Sequence, residues 1–385
     1  MPKVRGVYRD AKGGWYFKAS THKDPVTGRW KQVTRRGFPT AAEAGRARDE
    51  LLTEVAEAAV DPVVAGMSVA DLVADYLDDC EAAERLSEKS LFDYRHYTEH
   101  YVSPWIGSVL VRDVTAETIA TWQRKLATSG GTKNGRRLAP NTIRLARAPL
   151  NGAFKRAVAM GLLAVNPLAS VPRPKPRRSI PKHWSPEQAR EFLAFQEGDR
   201  LWPVWAFLLG SGLRIGELVF LRWPNVDLDR GLVRINEFAT VLGHEVRRSA
   251  GKSTDAVRTV DIDEHLASVL RQQRKLQAEE QLAAADFEES EHVFTKPAGG
   301  YYHPQYLSRV LGEISTETGL PRLTAHGLRH TSATLMLAQG VPPKVAAERL
   351  GHADTTLFAN LYSHVTPTMQ REAAAQIGNA LFGDP

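Results

Sequence analysis

The chain is almost free of cysteine, since Cys80 stands alone among 385 residues. A single cysteine excludes an intramolecular disulfide and a zinc site built from cysteine thiolates, and it fits a reducing compartment. No apolar run approaches the roughly 18 residues that a membrane-spanning helix needs. Residues 1–6 carry no apolar signal region either. We therefore expect a cytoplasmic protein without membrane partners.

Acidic residues are scarce at the N-terminus. The whole chain has 50 Lys and Arg against 44 Asp and Glu, a net charge of +6, but residues 1–40 hold ten basic and two acidic residues. The remaining 345 residues are thus slightly acidic. A positive charge concentrated in this way favours a polyanionic partner.

The basic segment has the pattern of a small sheet followed by a helix. Strand-like runs at residues 4–8, 15–19 and 30–34 are separated by turn residues, and Thr40 with Glu43 forms a capping box before a helix. Strands that carry basic side chains beside tryptophan and tyrosine can enter a DNA groove, whereas the alternative is a solubilising basic module. The first domain is predicted at 1–58, and its candidate DNA contacts are Arg5, Lys18, Lys31, Arg35 and Arg36.

Residues 66–168 are predicted to form an all-helical domain. Ser68, Ser87, Thr115 and Pro140 stand at the positions where its helices would begin. Basic residues that could meet phosphates, or equally lie on solvated surface, are Lys133, Arg136, Arg137, Arg144, Arg147, Lys155 and Arg156.

A basic, proline-rich segment at 169–182 follows, and it contains no acidic residue. Its prolines exclude a helix, so we expect a stiff, extended linker lying along DNA. The candidate contacts here are Arg173, Lys175, Arg177 and Arg178.

The last predicted domain, 183–385, opens with a helix at Ser185 and Pro186. Glycines at 210 and 212 give a close turn before a helix that begins near Arg214. Runs at 232–238, 244–248 and 257–262 predict one three-stranded sheet, with Lys252 on the turn between the last two strands. The predicted fold class is multidomain α+β: a small β-sheet-plus-helix domain, an all-α domain, and a mainly α domain with a small antiparallel sheet.

Residues 323–365 collect groups suited to phosphate chemistry. His326 and Arg329 are three apart and share one face of a helix, and Tyr362 follows two further predicted helices. Arginine binds phosphate bidentately, and a phenol with a free pKa of about 10 becomes a nucleophile once a base such as imidazole takes its proton. This set suits attack of a tyrosine on a phosphodiester.

A zinc site is the alternative for part of this stretch. His326 and His330 have the i, i+4 spacing of zinc-binding helices. However, Gly327 replaces the usual glutamate, Arg329 places a fixed cation between the imidazoles, and no acidic ligand is near in the sequence. We therefore predict no metal and no other cofactor.

The ordered motifs resemble the tyrosine recombinases, the phage-integrase family. The resemblance covers residues 185–366, and the layout before them is similar to an integrase with an arm-binding domain and a helical core-binding domain. The motifs are Gly-Leu-Arg214-Ile-Gly-Glu217-Leu, Lys252 six residues before Arg258, His326-Gly-Leu-Arg329-His, Leu-Gly-His352 and Tyr362.

The resemblance implies a role for each motif residue. Arg214 and Arg329 would clamp the scissile phosphate, and Lys252 would be the general acid for the leaving 5′ oxygen. Its context, Gly-Lys-Ser, departs from the more familiar Pro-Lys-Thr. Glu217 would orient a neighbouring side chain.

Three further residues would complete the reaction. His326 would assist proton transfer at the tyrosine, His352 would hydrogen-bond a phosphate oxygen, and Tyr362 would be the nucleophile that forms a 3′-phosphotyrosine link. The partners implied are double-stranded core and arm attachment sites and a homotetramer on DNA, with a host bending protein and a directionality factor as additions.

Two other functions use similar residues: a type IB topoisomerase, and a DNA-binding regulator with an inactive site. The two DNA-binding domains before the motifs favour the recombinase. After Tyr362, an apolar stripe is predicted to dock on a neighbouring protomer or to cover its own domain. The stripe consists of Met369, Ala373, Ile377 and Leu381.

Overall fold

A computed structural model of the chain describes residues 6–10, 13–23, 30–58, 66–130, 137–176, 182–250 and 257–351, and also Ala375, Ile377, Asn379 and Leu381. For residues 21–23, 30–31, 52–58 and 250 it describes the backbone alone. The chain divides into two compact units, residues 1–178 and 179–385. The predicted multidomain α+β fold class is confirmed.

The N-terminal part of the first unit is an antiparallel three-stranded sheet with one helix packed on it. Phe17 and Ala19 point into the small core because side chains alternate along a strand, and this alternation leaves Tyr16 and Lys18 on the outer face. Thr40 Oγ1 accepts from the Glu43 amide at 3.2 Å, so the predicted cap is confirmed. In order the elements are β1 (Val7–Arg9), β2 (Trp15–Lys23), β3 (Trp30–Phe38) and α1 (Ala41–Ala58).

The rest of the first unit is helical around a core that includes Trp122, Leu150 and Phe154. The predicted starts at Ser68, Ser87, Thr115 and Pro140 are confirmed, and the first three are side-chain caps. The helices are α2 (Val69–Ala82), α3 (Glu88–Tyr97), α4 (Ser103–Ile106), α5 (Ala116–Thr128) and α6 (Pro140–Ala159), with a π turn at Thr98–Val102 and a 3₁₀ turn at Val111–Asp113.

Arg147 is a structural residue of this core, so its interpretation as a phosphate contact is wrong. Arg147 lies in α6, and only 5% of the residue is exposed. It donates to Gln123 Oε1 at 2.8 Å, to the Val171 carbonyl at 2.9 Å and to the Leu168 carbonyl. These bonds satisfy buried carbonyls where the chain leaves the helical core.

We expect Arg147→Met to destabilise the helical core by about 2 kcal/mol or more, because two buried carbonyls lose their donor. Urea unfolding followed by hydrogen exchange of α6 measures this directly. Arg144→Met is the matched control, since Arg144 lies exposed on the same helix and should change stability little. Equal stability of the two variants would contradict the structural role of Arg147.

The second unit is built around one apolar helix, α8 (Trp202–Ser211). Trp205, Phe207 and Leu208 are fully buried, and α8 packs against α10 (Glu264–Ala283) and α12 (Ala325–Ala338). Throughout the described ranges, every helix is too short or too polar to cross a membrane. The other helices are α7 (Pro186–Phe195), α9 (Ile215–Val219), α11 (Pro304–Glu317) and α13 (Pro343–Leu350).

The predicted single sheet of this unit is wrong in its pairing. The run at 232–238 breaks at Asn236, whose side chain exchanges hydrogen bonds with Asn225. Among the described strands, the segment at 245–250 pairs only with 237–242, as a hairpin. A separate three-stranded sheet has the strand order 226–227, 232–235 and 258–261. The strands are β4 (Val226–Asp227), β5 (Leu232–Ile235), β6 (Glu237–Leu242), β7 (Glu245–Ala250), β8 (Arg258–Asp261), β9 (Thr295–Lys296) and β10 (Gly299–Tyr301).

Candidate active site

A tight turn between α8 and α9 places Arg214. Gly212 ends α8 with φ of 67°, a left-handed conformation that favours glycine, and a Cβ there would lie 2.3 Å from Leu350 Cδ2. Arg214 then occupies the N-cap of α9, and its backbone amide donates to Glu217 Oε2 at 2.8 Å. Gly212 therefore allows Arg214 to leave the turn beside the C-terminus of α13.

Glu217 is a buried carboxylate, 5% exposed, shared by two arginines. Its Oε1 accepts from Arg214 Nη1 at 2.7 Å and from Arg258 Nη1 at 3.0 Å, and its Oε2 accepts from Arg258 Nη2 at 2.9 Å. With the Arg214 amide, this makes four hydrogen bonds to two oxygens, the full capacity of a carboxylate. Burial opposes ionisation, but the bonds and charges of Arg258 and Arg214 outweigh it and hold the pKa of Glu217 below its ordinary value.

Three arginines meet at the C-terminus of α13. The last carbonyls of a helix have no partner within the helix and carry partial negative charge, so they attract cations. The donor–acceptor pairs are Arg258 Nε to the Arg349 carbonyl at 2.9 Å, Arg329 to the Leu350 carbonyl, and Arg214 Nη2 to the Gly351 carbonyl at 3.0 Å. Three consecutive carbonyls thus bring together side chains from three separate parts of the chain.

Arg329 and Arg214 differ in exposure. Arg329 is 2% exposed and donates also to the Gly212 carbonyl at 2.9 Å, and its Nε has no hydrogen-bond partner among the described residues. Burial, together with the positive charges of Arg214 and Arg258, lowers the pKa of Arg329 to about 9, and Glu217 acts in the opposite direction. The guanidinium therefore stays charged at neutral pH. Arg214 has 43% of its side chain exposed and can meet a ligand from solvent.

His326 stands in the first turn of α12, which is capped by Thr324. Loss of hydration, and then the charges of Arg329 and Arg214, lower the pKa of its imidazole. The neighbouring His330 ring lies 4.6 Å away, edge to face, and burial lowers the pKa of His330 to about 4. Both rings are therefore neutral at neutral pH, and His326 is in the form that can accept a proton.

Within the part of the chain that the structure describes, no three His, Cys, Asp or Glu side chains gather as metal ligands. The charged groups that lower the pKa of His326 are both arginines. Two positive charges beside the imidazole favour binding of an anion over a metal ion at α12. Three predicted site residues lie outside the described residues: Lys252, His352 and Tyr362.

The outer face of the N-terminal sheet carries a row of aromatic and basic side chains. Tyr8, Tyr16 and Arg36 are cross-strand neighbours, with the two tyrosine rings stacked at 5.4 Å and the Arg36 guanidinium 5.3 Å from the Tyr16 ring. The predicted DNA contacts that the structure shows as exposed are Lys18, Arg35, Arg36, Arg137, Arg144, Arg173 and Lys175. Those outside the described side chains are Arg5, Lys31, Arg136, Arg177 and Arg178.

Arg258 was missed as a site residue by reasoning from the sequence, which used it only as a spacing marker. Its side chain is 8% exposed and touches both Glu217 and the end of α13. The sequence carries only a weak signal for Arg258, because it is a basic residue at the start of a predicted strand and lies outside the sharply defined motifs. Nothing in its local pattern distinguishes it from a solvated arginine.

Comparison with known proteins identifies the family. Residues 185–369 match the phage integrase family, and residues 7–55 match an arm DNA-binding domain. The chain is 30% identical over 220 residues to tyrosine recombinase XerC of Mycobacterium sp. (strain KMS). The aligned region covers 54% of this chain and 67% of that protein. It is 28% identical over 307 residues to a tyrosine recombinase XerC-like protein of Caldanaerobacter subterraneus subsp. tengcongensis, with coverage of 74% and 76%. Over 387 residues it is 23% identical to the ICEBs1 integrase of Bacillus subtilis (strain 168), with coverage of 96% and 98%.

Solved structures share the fold. The Tn1549 transposon integrase in complex with transposon right end DNA has a TM-score of 0.67 at 20% identity, covering 81% of this chain and 100% of that one. A lambda integrase tetramer bound to a Holliday junction has a TM-score of 0.59 at 18% identity, covering 93% and 95%. The chain is a tyrosine recombinase. It belongs to the phage integrase family, and the resemblance seen in its motifs is confirmed.

We expect Glu217→Gln to destabilise the second unit by about 3 kcal/mol at neutral pH, because Arg258 loses its buried counter-charge. The depressed pKa of Glu217 means that its stabilising effect is complete above the ordinary value of 4.5 and is lost as pH falls through the lower, folded-state value. The difference between wild type and variant should therefore shrink below pH 4.5. Urea unfolding at a series of pH values, read by hydrogen exchange of α8, measures it.

Glu313→Gln is the matched control for this experiment, since Glu313 pairs with Arg309 at the surface and should matter little. A difference between wild type and Glu217→Gln that stays constant down to pH 3 would show that the ionised carboxylate is not what stabilises the cluster.

Proposed function

We propose that this protein is a site-specific DNA recombinase, an integrase, that cuts and rejoins DNA through a 3′-phosphotyrosine intermediate. The observation that carries the proposal is the cluster of Arg214, Arg258, Arg329 and Glu217, at or beside the family's motif positions. Three guanidinium charges and one carboxylate leave a net charge of +2. A phosphodiester under attack by a phenolate develops a second negative charge, so fixed cations of this number stabilise the transition state.

The proposed reaction balances without an energy source. The Tyr362 oxygen attacks phosphorus, the phenol proton passes to His326, and the bond to the 5′ oxygen breaks as Lys252 protonates that oxygen. His352 hydrogen-bonds a non-bridging oxygen. The 5′ hydroxyl of a second strand then attacks the phosphotyrosine, restores the diester and releases Tyr362, so that each ester bond broken is replaced by another.

The neutral imidazole of His326 supports this assignment of the first proton transfer. Its lowered pKa keeps it unprotonated at neutral pH, and the adjacent cations favour a phenolate once the proton has left. Arg214 presents its exposed guanidinium to the phosphate, and Arg329 adds its charge from the buried side. Both arginines are held by backbone carbonyls before DNA arrives, which reduces the cost of ordering them.

Each predicted domain is assigned a task in binding or cleaving DNA. Residues 1–58 would bind arm-type sites through the outer face of the sheet, residues 66–168 would bind core-type sites, 169–182 would lie along DNA as a basic linker, and 183–385 would carry out strand cleavage. Exposed basic side chains among the described residues support the first three of these assignments: Lys18, Arg35 and Arg36, then Arg137 and Arg144, then Arg173 and Lys175. Two duplexes exchange strands, so one protomer for each cleaved strand implies a tetramer on DNA.

The biological process proposed is integration and excision of a phage or other mobile element at attachment sites. The matched arm DNA-binding domain favours this function over a type IB topoisomerase, because a second DNA-binding module serves to bridge distant sites. The complete set of motif residues favours it over a regulator with an inactive site. A host bending protein and a directionality factor are proposed as accessory partners.

We expect Tyr362→Phe to bind attachment-site DNA normally and to form no covalent adduct, because only the phenol oxygen is lost. The substrate is a duplex containing the sequence repeated on both sides of the element, nicked beside the cleavage point so that a short fragment escapes and rejoining is prevented. Denaturing gels detect the protein–DNA adduct. The matched control is Tyr306→Phe, a partly exposed tyrosine outside the cluster, which should cleave as wild type does.

A 3′ adduct formed by the Tyr362→Phe variant would refute the assignment of the nucleophile. Relaxation of a supercoiled plasmid that lacks the repeat would instead favour the topoisomerase. Wild-type protein that binds the repeat without forming an adduct would favour the regulator.

We expect Arg36→Ala to weaken arm-site binding and to reduce the slope of log affinity against log salt by about 0.9, the value for one lost phosphate contact. Arg46→Ala is the matched control, since Arg46 lies exposed on α1 and removes the same charge from outside the sheet. Titrations of arm DNA at several salt concentrations measure both. Cleavage of an isolated core site should be unchanged, and equal slopes for the two variants would argue against the sheet as the DNA-binding face.

A further inference from the structure

The negative charge of Glu217 affects how much positive charge Arg214 can offer to a phosphate. The two groups are paired at 2.7 Å, with Glu217 buried, so the carboxylate orients Arg214 strongly. An isolated pair of this kind is electrically neutral as seen by an approaching phosphate. Orientation by a carboxylate therefore has a cost, because it cancels much of the positive charge that the phosphate needs.

Arg258 removes this cost by supplying a second cation to the same carboxylate. It holds both oxygens of Glu217, at 3.0 and 2.9 Å, in the two-point geometry that makes arginine–carboxylate pairs strong. Because Arg258 is only 8% exposed, it is shielded from a ligand in solvent, unlike Arg214. One cation thus neutralises the buried carboxylate, and the other is left with its charge directed outward.

The structure keeps Arg258 in this position from two further sides. Its Nε donates to the Arg349 carbonyl at 2.9 Å, so the guanidinium is also held through a nitrogen that Glu217 does not contact. Gly351 packs against the guanidinium, since a Cβ at Gly351 would lie 2.9 Å from Arg258 Nη1. The φ of 66° at Gly351 is the left-handed conformation that glycine adopts easily, so the close approach and the turn both require this residue.

We propose that Arg258 is a positioning residue for strand cleavage, whose task is to neutralise Glu217 so that this carboxylate orients Arg214 without cancelling its charge. This inference rests on the proposed function, because it assigns Arg258 a task in the cleavage of a phosphodiester. It predicts a defect that depends on the charge of the substrate. A defect of folding or packing would be the same for charged and uncharged substrates.

The test compares two nicked core-site duplexes. One has the natural scissile phosphate, and the other has a methylphosphonate there, in which a methyl group replaces one non-bridging oxygen and removes the negative charge. We expect Arg258→Gln to slow cleavage of the phosphate by on the order of 100-fold, because Glu217 would then cancel the charge that Arg214 directs at the transition state, an effect comparable to losing one electrostatic contact. On the methylphosphonate, we expect the loss to be under about 10-fold, since less charge must be stabilised.

A second variant separates charge from geometry and covers a failure to fold. Arg258→Gln combined with Glu217→Gln removes the buried carboxylate together with its counter-charge and restores the net charge of +2 to the cluster. We expect the double variant to cleave the natural phosphate faster than Arg258→Gln alone, although it has lost one more native contact. Arg222→Met is the matched control: it removes an arginine from another buried glutamate of the same unit, Glu237, and should not change the ratio of rates on the two substrates.

Equal losses on phosphate and methylphosphonate for Arg258→Gln would overturn the proposal. A folded double variant that cleaves phosphate no faster than Arg258→Gln would also overturn the proposal. If Arg258→Gln does not fold, a folded double variant that fails to cleave phosphate would overturn the proposal. Failure of the wild type to form an adduct on either duplex would refute the proposed function itself. Normal wild-type cleavage with an unaffected Arg258→Gln would refute only this inference.

Discussion

A single buried carboxylate organises the site. Both carboxylate oxygens of Glu217 accept hydrogen bonds from Arg214 and Arg258. The carboxylate remains ionised because those bonds outweigh the penalty of burial. Each of the two arginines makes two hydrogen bonds to this one carboxylate. The positions of the two arginines are therefore coupled, and each part of the chain that supplies one depends on the others being folded.

The C-terminus of α13 is the second element of this arrangement. Its last carbonyls attract arginines from α12, from the start of α9 and from β8, so the end of one short helix gathers residues that are far apart in the chain. The left-handed glycines at 212 and 351 permit the close approach of backbone and side chain on both sides. Hydrogen bonds therefore hold the arginines in place before any phosphate is bound, and electrostatic stabilisation of a transition state requires such preorganised charges.

In the first unit, burial decides the use of basic residues. Arg147 and Arg144 lie three residues apart on the same helix, yet Arg147 is buried against backbone carbonyls and Arg144 is exposed. The sheet shows the same division on a smaller scale, with Phe17 in the core and Tyr16 beside Arg36 on the outer face. A net positive charge therefore favours a polyanionic partner, but the individual contacts depend on which face of each element is covered.

Local patterns in the sequence determined a large part of this protein. Caps at Ser68, Ser87 and Thr115 placed the helices, because a cap acts within one turn, and the ordered motifs identified the family, because the chemistry of strand cleavage restricts residue types. The tertiary structure alone decided the break at Asn236, the burial of Arg147 and the place of Arg258 at Glu217. These features depend on partners 11 to 41 residues away along the chain, and no local propensity encodes such a pairing. Whether an arginine binds phosphate, a carboxylate or a carbonyl is settled by its neighbours in space.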